Sequence, residues 1–308
     1  MTTGRHGLAF LALLASIAAS APARAQTSEL VISGDGIVPV TVNGVAARIR
    51  IDPAVPALPM LTTDYAVRAR LRAGPFAFGY MVGPEMVRGR SAVARIGIGG
   101  GARPRKRRVG WTERPFAAGV DGVVGPGGLP QQVVRFVLGP ARPGERTVAL
   151  PMADEGGLFG GWGHSYAVID LGGAPVRIRF DPHHPRTLAT AGAGVRLAAQ
   201  NDARIAGAVE SPEIAFGISR PVRTLHLGRP LQVGPLTITE LGVRTADFGN
   251  AASIREEGEG GDPDEVIVTG DRRRNNDRDR IAIGADLLAR CSSLVFDRRA
   301  REIRLTCA

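Results

Sequence analysis

Hydrophobic positions along this chain come in short runs that alternate with polar ones, the period-2 signature of strands. Val38–Val45, Ala46–Ile51, Ala92–Ile98, Val133–Leu138, Tyr166–Leu171, Pro175–Phe180, Val222–Leu227 and Leu236–Val243 all read this way. Gly and Pro clusters separate them, as turns require. Helical spacing is confined to two short stretches, Thr62–Arg72 and Gly284–Arg290. The pattern predicts an all-β protein, with a sandwich, a barrel and a two-lobed fold as the options.

An internal repeat chooses among them. Residues 48–56 read Arg-Ile-Arg-Ile-Asp-Pro-Ala-Val-Pro, and residues 177–185 read Arg-Ile-Arg-Phe-Asp-Pro-His-His-Pro. Six of the nine positions are identical, at an offset of 129. Each copy follows a strand and a Gly turn, Asn43-Gly44 in one and Gly172-Gly173 in the other. Downstream, Gly122-Val123-Val124-Gly125 with Leu129 answers Ile281-Ala282-Ile283-Gly284 with Leu288, at an offset of 159. The excess matches the polar segment 249–280. The expected organisation is two similar lobes, 26–150 and 151–308, the second carrying a disordered insertion at 249–280.

Residues 1–25 read as a signal peptide. Arg5 precedes the apolar stretch Leu8–Ala19, and Ala23-Arg24-Ala25 supplies a small-x-small cleavage pattern. The expected location is periplasmic or secreted, where disulfides persist. Cys291 and Cys307 flank a strand–turn–strand pattern centred near Arg299, which predicts a cross-strand disulfide closing the last hairpin.

Composition adds limits. The chain has 308 residues, 44% of them hydrophobic and 22% charged, which is too apolar for a wholly disordered protein. Two cysteines exclude a four-thiolate zinc site and a disulfide-dense scaffold. The net charge is +10, and Lys106 is the only lysine. Loss of the first 25 residues leaves about +8. Much of the charge gathers in Arg103-Pro104-Arg105-Lys106-Arg107-Arg108. In an exported protein, with no aromatics interleaved, this run reads as a solvated hairpin tip or a contact with an anionic envelope surface, and not as a nucleic-acid site. No Gly-x-Ser-x-Gly context accompanies Ser165 or Ser292.

The repeat itself carries a resemblance. A hydrophobic strand ends in Asp, a turn and short helix follow, and two hydrophobic residues later precede a Gly. Ile51-Asp52 with Asp121-Gly122-Val123-Val124-Gly125, and Phe180-Asp181 with Ile283-Gly284-Ala285-Asp286-Leu287-Leu288, resemble the two lobes of the aspartic peptidases, the pepsin-like and retropepsin-like families. The resemblance implies two β-barrel-like lobes around a cleft that takes a peptide or protein. It implies peptide hydrolysis by an Asp52/Asp181 pair, without a cofactor or metal. In place of the family's Asp-Thr/Ser-Gly this chain has Asp52-Pro53-Ala54 and Asp181-Pro182-His183. Proline brings neither a hydroxyl nor an N–H to tie the loops together, and Ala54 and His183 would be strained at positive φ. Three readings stay open: an active peptidase, a catalytically inactive pseudopeptidase that binds peptide or serves the envelope structurally, or an unrelated β protein in which Asp-Pro is only a strand-ending turn.

Three weaker signals remain. His183 and His184, with His164, are metal-ligand types, but neighbours on an extended chain point apart, so exposed loop histidines are the plainer reading. Tyr80 falls roughly where the family carries its flap. Within the insertion, Asp264–Arg272 resembles the stretch near the start of the plug in TonB-dependent receptors, which implies either a docking strand or a disordered loop.

Overall fold

The computed structural model describes residues 29–99, 103–155, 162–247, 251–258 and 278–308. The expected signal peptide and the Asp264–Arg272 stretch lie outside the described residues.

A short strand, β1 (Glu29–Ile32), precedes the first lobe. That lobe comprises β2 (Ile37–Val42), β3 (Val45–Ile51), β4 (Met60–Thr62), α1 (Thr63–Arg68), β5 (Ala77–Val82), β6 (Glu85–Ile98), β7 (Arg105–Thr112) and β8 (Gly122–Val124). The strands run β2-β3-β8-β4-β7-β6-β5 across the sheet, and β2 also pairs with β6. Six strands therefore close into a barrel, and β5 extends beyond it as a hairpin with β6. Alternation explains the inward faces: Ala47, Ile49 and Ile51 of β3 are buried while Ala46 and Arg48 face water.

β9 (Val133–Val137) and β10 (Arg146–Asp154) lead into the second lobe. It comprises β11 (Ser165–Asp170), β12 (Pro175–Phe180), β13 (Leu188–Thr190), α2 (Ala191–Asn201), β14 (Ala203–Glu210), β15 (Glu213–Ala215), β16 (Ile218–Ser219), β17 (Val222–Val233), β18 (Leu236–Arg244), β19 (Arg280–Ile283) and α3 (Ala285–Leu288). Its strand order, β11-β12-β19-β13-β18-β17-β14, repeats the first lobe position for position. The parallel and antiparallel senses repeat as well: β3 with β8 and β12 with β19 are parallel, β4 with β8 and β13 with β19 antiparallel. The fold is all-β and two-lobed. Between the lobes, β1, β9, β20 (Cys291–Asp297), β21 (Glu302–Cys307) and β10 form the shared part of the larger sheet. Its core includes an edge-to-face pair of Phe136 and Phe296, centroids 5.9 Å apart.

Three expectations are corrected. First, α2 spans 11 residues where no helix was expected. Its Ala-Gly-Ala-Gly start gives no apolar stripe, yet Thr190 caps it by accepting from the Ala193 amide, and small residues let it bury almost every side. Second, the basic run is a solvated tip only at its start. Arg105–Arg108 open β7 and pair with Val93–Ile96. Arg107 donates to the Gly128 carbonyl, and Arg108 lies over the Trp162 ring. Only Arg103, Arg105 and Lys106 of the basic side chains stay fully exposed. Third, the insertion is not loose throughout. Ala251 and Ile254 are buried, and the Glu257 amide donates to the Ile205 carbonyl at 2.8 Å. No helix among the described residues is long and apolar enough to cross a membrane.

Cys291 and Cys307 sit opposite each other in the β20–β21 hairpin and are disulfide-bonded. Replacing both by serine should destabilise the fold by on the order of 3 kcal/mol through loop entropy. The urea midpoint of the double variant measures this, and an unchanged midpoint would contradict it.

Candidate functional site

Asp52 follows the last residue of β3, and Asp181 the last residue of β12. In each lobe a short strand comes back beside the aspartate from the lobe's far end. The Asp52 amide donates to the Val124 carbonyl at 3.0 Å, and the Asp181 amide to the Ile283 carbonyl at 2.8 Å. The proline that follows cannot donate, so each carboxylate turns to amides further along its own loop. Asp52 Oδ1 accepts from the Ala54 amide at 2.8 Å. Asp181 Oδ1 accepts from the His183 and His184 amides at 3.2 and 3.0 Å. Neither Ala54 nor His183 has positive φ, so the strain expected there does not arise.

Gly125 and Gly284, the residues after the crossing strands, pack against these loops. A Cβ on Gly125 would lie 2.0 Å from the Val55 carbonyl oxygen, and one on Gly284 2.6 Å from that of Arg186. The two loops are thus pinned from behind by backbone that admits no side chain. They also reach across the lobe boundary without a hydroxyl: the Ala57 amide donates to the Gly163 carbonyl at 2.8 Å.

Asp52 is 3% exposed and Asp181 half-buried. Burial pushes the Asp52 carboxyl up to about 6, against a hydrogen bond from Ala54 and the charge of Arg50. Burial also pushes Asp181 up to about 6; the Asp52 charge raises it further, while the two histidines and the His184 amide pull it down. The two carboxyls therefore sense one another.

Tyr80 projects from the β5–β6 hairpin. Its ring packs edge-on against Phe116, Phe216 and His164, at 5.9, 5.1 and 5.7 Å between centroids. Its hydroxyl lies 3.3 Å from His164 Nε2, and His164 Nδ1 lies 2.7 Å from Glu155 Oε2. Burial lowers the His164 pKa to about 4, so the ring is neutral at ordinary pH. In the tautomer that satisfies both contacts, Nδ1–H donates to Glu155 and Nε2 accepts from Tyr80. Burial alone would raise Glu155, but the His164 hydrogen bond and the Arg179 charge outweigh it and hold this carboxyl well below the usual range. Sequence reading missed Glu155 and Arg179. The one signal available was the alternation Arg177-Ile178-Arg179, which turns every second side chain to the same side.

Phe216, at positive φ (58°) on the tip of the β15–β16 hairpin, is fully buried against Tyr80 and Phe116. The two hairpins roof the site and leave a cavity of about 60 Å³ that touches Ala54, Tyr80, Asp181 and His184. A larger cavity, about 460 Å³, lies beside β6 and β7 at Glu85, Arg88 and Arg114 and touches neither aspartate. The histidines do not converge: His164 serves Tyr80 and Glu155, and His184 Nδ1 lies 2.6 Å from the Arg186 carbonyl. Among the described residues no three His, Cys, Asp or Glu side chains group as metal ligands.

No family model and no curated protein sequence matches the chain. Among solved structures, an aspartic proteinase from Irpex lacteus is similar at TM-score 0.42 and 12% identity, covering 88% of this chain and 94% of that one.

The raised carboxyls set a pH dependence of stability. A group whose pKa is higher folded than unfolded contributes stability that is present below its unfolded value, here 3.8, and lost as pH rises through about 6. Asp52→Asn should therefore stabilise the protein at pH 8 by on the order of 2 kcal/mol and change it little at pH 4. Asp181→Asn should act in the same direction. Urea midpoints at the two pH values decide; a loss of stability at pH 8 for Asp52→Asn would refute the assignment.

Proposed function

We propose that this chain hydrolyses peptide bonds in the interlobe cleft, with Asp52 and Asp181 sharing one proton. What carries the reading is the equivalence of the two aspartates: each ends a strand, each is pinned by a crossing strand, and both carboxyls are raised to about 6. Two such groups titrate as a pair, with one proton between them at mildly acid pH. One of the two carboxyls is then neutral and serves as the acid, and the other is ionised and serves as the base. The base takes a proton from water as its oxygen attacks the peptide carbonyl carbon, and the acid gives its proton to the carbonyl oxygen. Collapse of the resulting diol returns a proton to the leaving amine. Because Tyr80 and Phe216 roof the site, peptide entry requires the two hairpins to part. An exported location, as the leader and the disulfide suggest, belongs to the same reading, and exposed Arg103, Arg105 and Lys106 form a cationic face for an anionic envelope surface.

A second reading rests on Pro53 and Pro182. Neither loop has the hydroxyl that steadies such a pair, and a misplacement of about 1 Å costs roughly a hundredfold in rate. A peptide-binding protein without chemistry would tolerate both prolines. The two readings separate on one experiment. The active form cleaves a denatured protein at pH 4–5, loses at least about a hundredfold of that rate on Asp52→Asn, and declines as pH rises through about 6. Intact substrate after long incubation with folded protein, together with peptide affinity retained by Asp181→Asn, would establish the binding reading instead.

A further inference from the structure

The cavity beside Asp181 has an unusual second wall. Arg179 of β12, Arg244 at the end of β18 and Arg280 at the start of β19 all line it. β12 and β19 are neighbours in one sheet and β18 lies one strand further on, beyond β13, so the three guanidinium groups come to the cavity from the same part of that sheet. Arg179 is 6% exposed and Arg244 4%. Arg179 is paired with Glu155, and Arg244 Nη1 lies 2.8 Å from Asp247 Oδ2. Those contacts use Nη atoms only. The Nε–H of Arg179 and that of Arg244 are buried with no hydrogen-bond partner. A buried donor without an acceptor is costly, and two of them beside one cavity call for an acceptor that comes from outside. Arginine is suited to this role because its fork of N–H groups matches a carboxylate.

The cavity also limits the ligand. At about 60 Å³ it holds roughly two waters' worth of liquid, which suits a carboxylate on a short stem. Ile214 and Ala215 supply an apolar side for that stem. Asp181 is the only carboxylate in the lining, and three guanidiniums oppose it.

We propose that this cavity is a subsite for the carboxylate of an aspartate or glutamate side chain, belonging to a peptide in the cleft and held by Arg179, Arg244 and Arg280. The proposal rests on the reading of the cleft as a peptide site and adds which residue that peptide carries. It makes the protein selective for acidic sequences despite having a carboxylate pair at its centre.

The test measures binding, so it does not depend on turnover. Fluorescent octapeptides differing only by Glu or Gln, with that position moved along the peptide, are titrated against the full chain carrying Asp52→Asn. Glutarate and glutaramide are titrated alongside by calorimetry. At one position the Glu peptide should bind about tenfold tighter than its Gln twin, and glutarate should bind where glutaramide does not. Arg244→Gln should erase the difference. Should that variant fail to fold with Asp247 left unpaired, Arg280→Gln serves in its place. Glutarate binding with no peptide binding would keep the carboxylate site and reject the peptide cleft. Equal affinity of Glu and Gln peptides with no glutarate binding, or a preference that survives both arginine variants, would overturn the proposal. A phosphoserine peptide that binds more tightly than its glutamate twin would overturn the choice of carboxylate.

Discussion

Each lobe depends on one crossing. A strand three or four residues long, β8 in the first lobe and β19 in the second, threads between the strand that ends in aspartate and the strand that follows its loop. Its last carbonyl receives the aspartate amide, and the glycine after it lies against the loop with no space for a Cβ. The carboxylate itself is then turned by amides of its own loop. The crossing strand has a strand on either side, so its own polar groups are paired by backbone. That requirement forces the parallel pairing on one side and the antiparallel pairing on the other. The aspartate position follows from the barrel and does not have to be stabilised separately.

That arrangement explains how Pro53 and Pro182 are accommodated. A hydroxyl next to the aspartate would add a bond between the loops. Here the loops are held by the crossing strands and by a bond one turn later, from Ala57 across the lobe boundary to Gly163. The carboxylates are oriented by amides of their own loops, one at Asp52 and two at Asp181.

The sequence made the lobes legible because the repeat Arg-Ile-Arg-x-Asp-Pro is local and its alternation is strong. The same alternation exposed most strands and the final hairpin, where the cysteines mark register. It failed where the signal was not periodic. The start of α2 is alanine and glycine, which carry no contrast between faces, and only its tertiary packing and the Thr190 cap make it a helix. Arg107 and Arg108 look like a solvated run because charge is read one residue at a time. Their partners, the Gly128 carbonyl and the Trp162 ring, are distant in sequence. The same distance hid Glu155, His164 and Arg179 as a connected group. Asp52 and Asp181 were visible as strand-ending acids, but the burial that raises their pKa values was not.

The two hairpins meet over the cavity beside Asp181. β5–β6 and the β14–β17 hairpin, with β15 and β16 at its tip, occupy equivalent places in the two lobes and bring Tyr80 against Phe216 over the cleft. Burial is the largest cause of the upward shift at both aspartates. It is also the largest cause lowering Arg244 and Arg280, whose positive charges stand on the same cavity. With the roof in place, water is excluded and each charge acts at close to its low-dielectric strength. Burial thus acts on the two acids and on the arginines together.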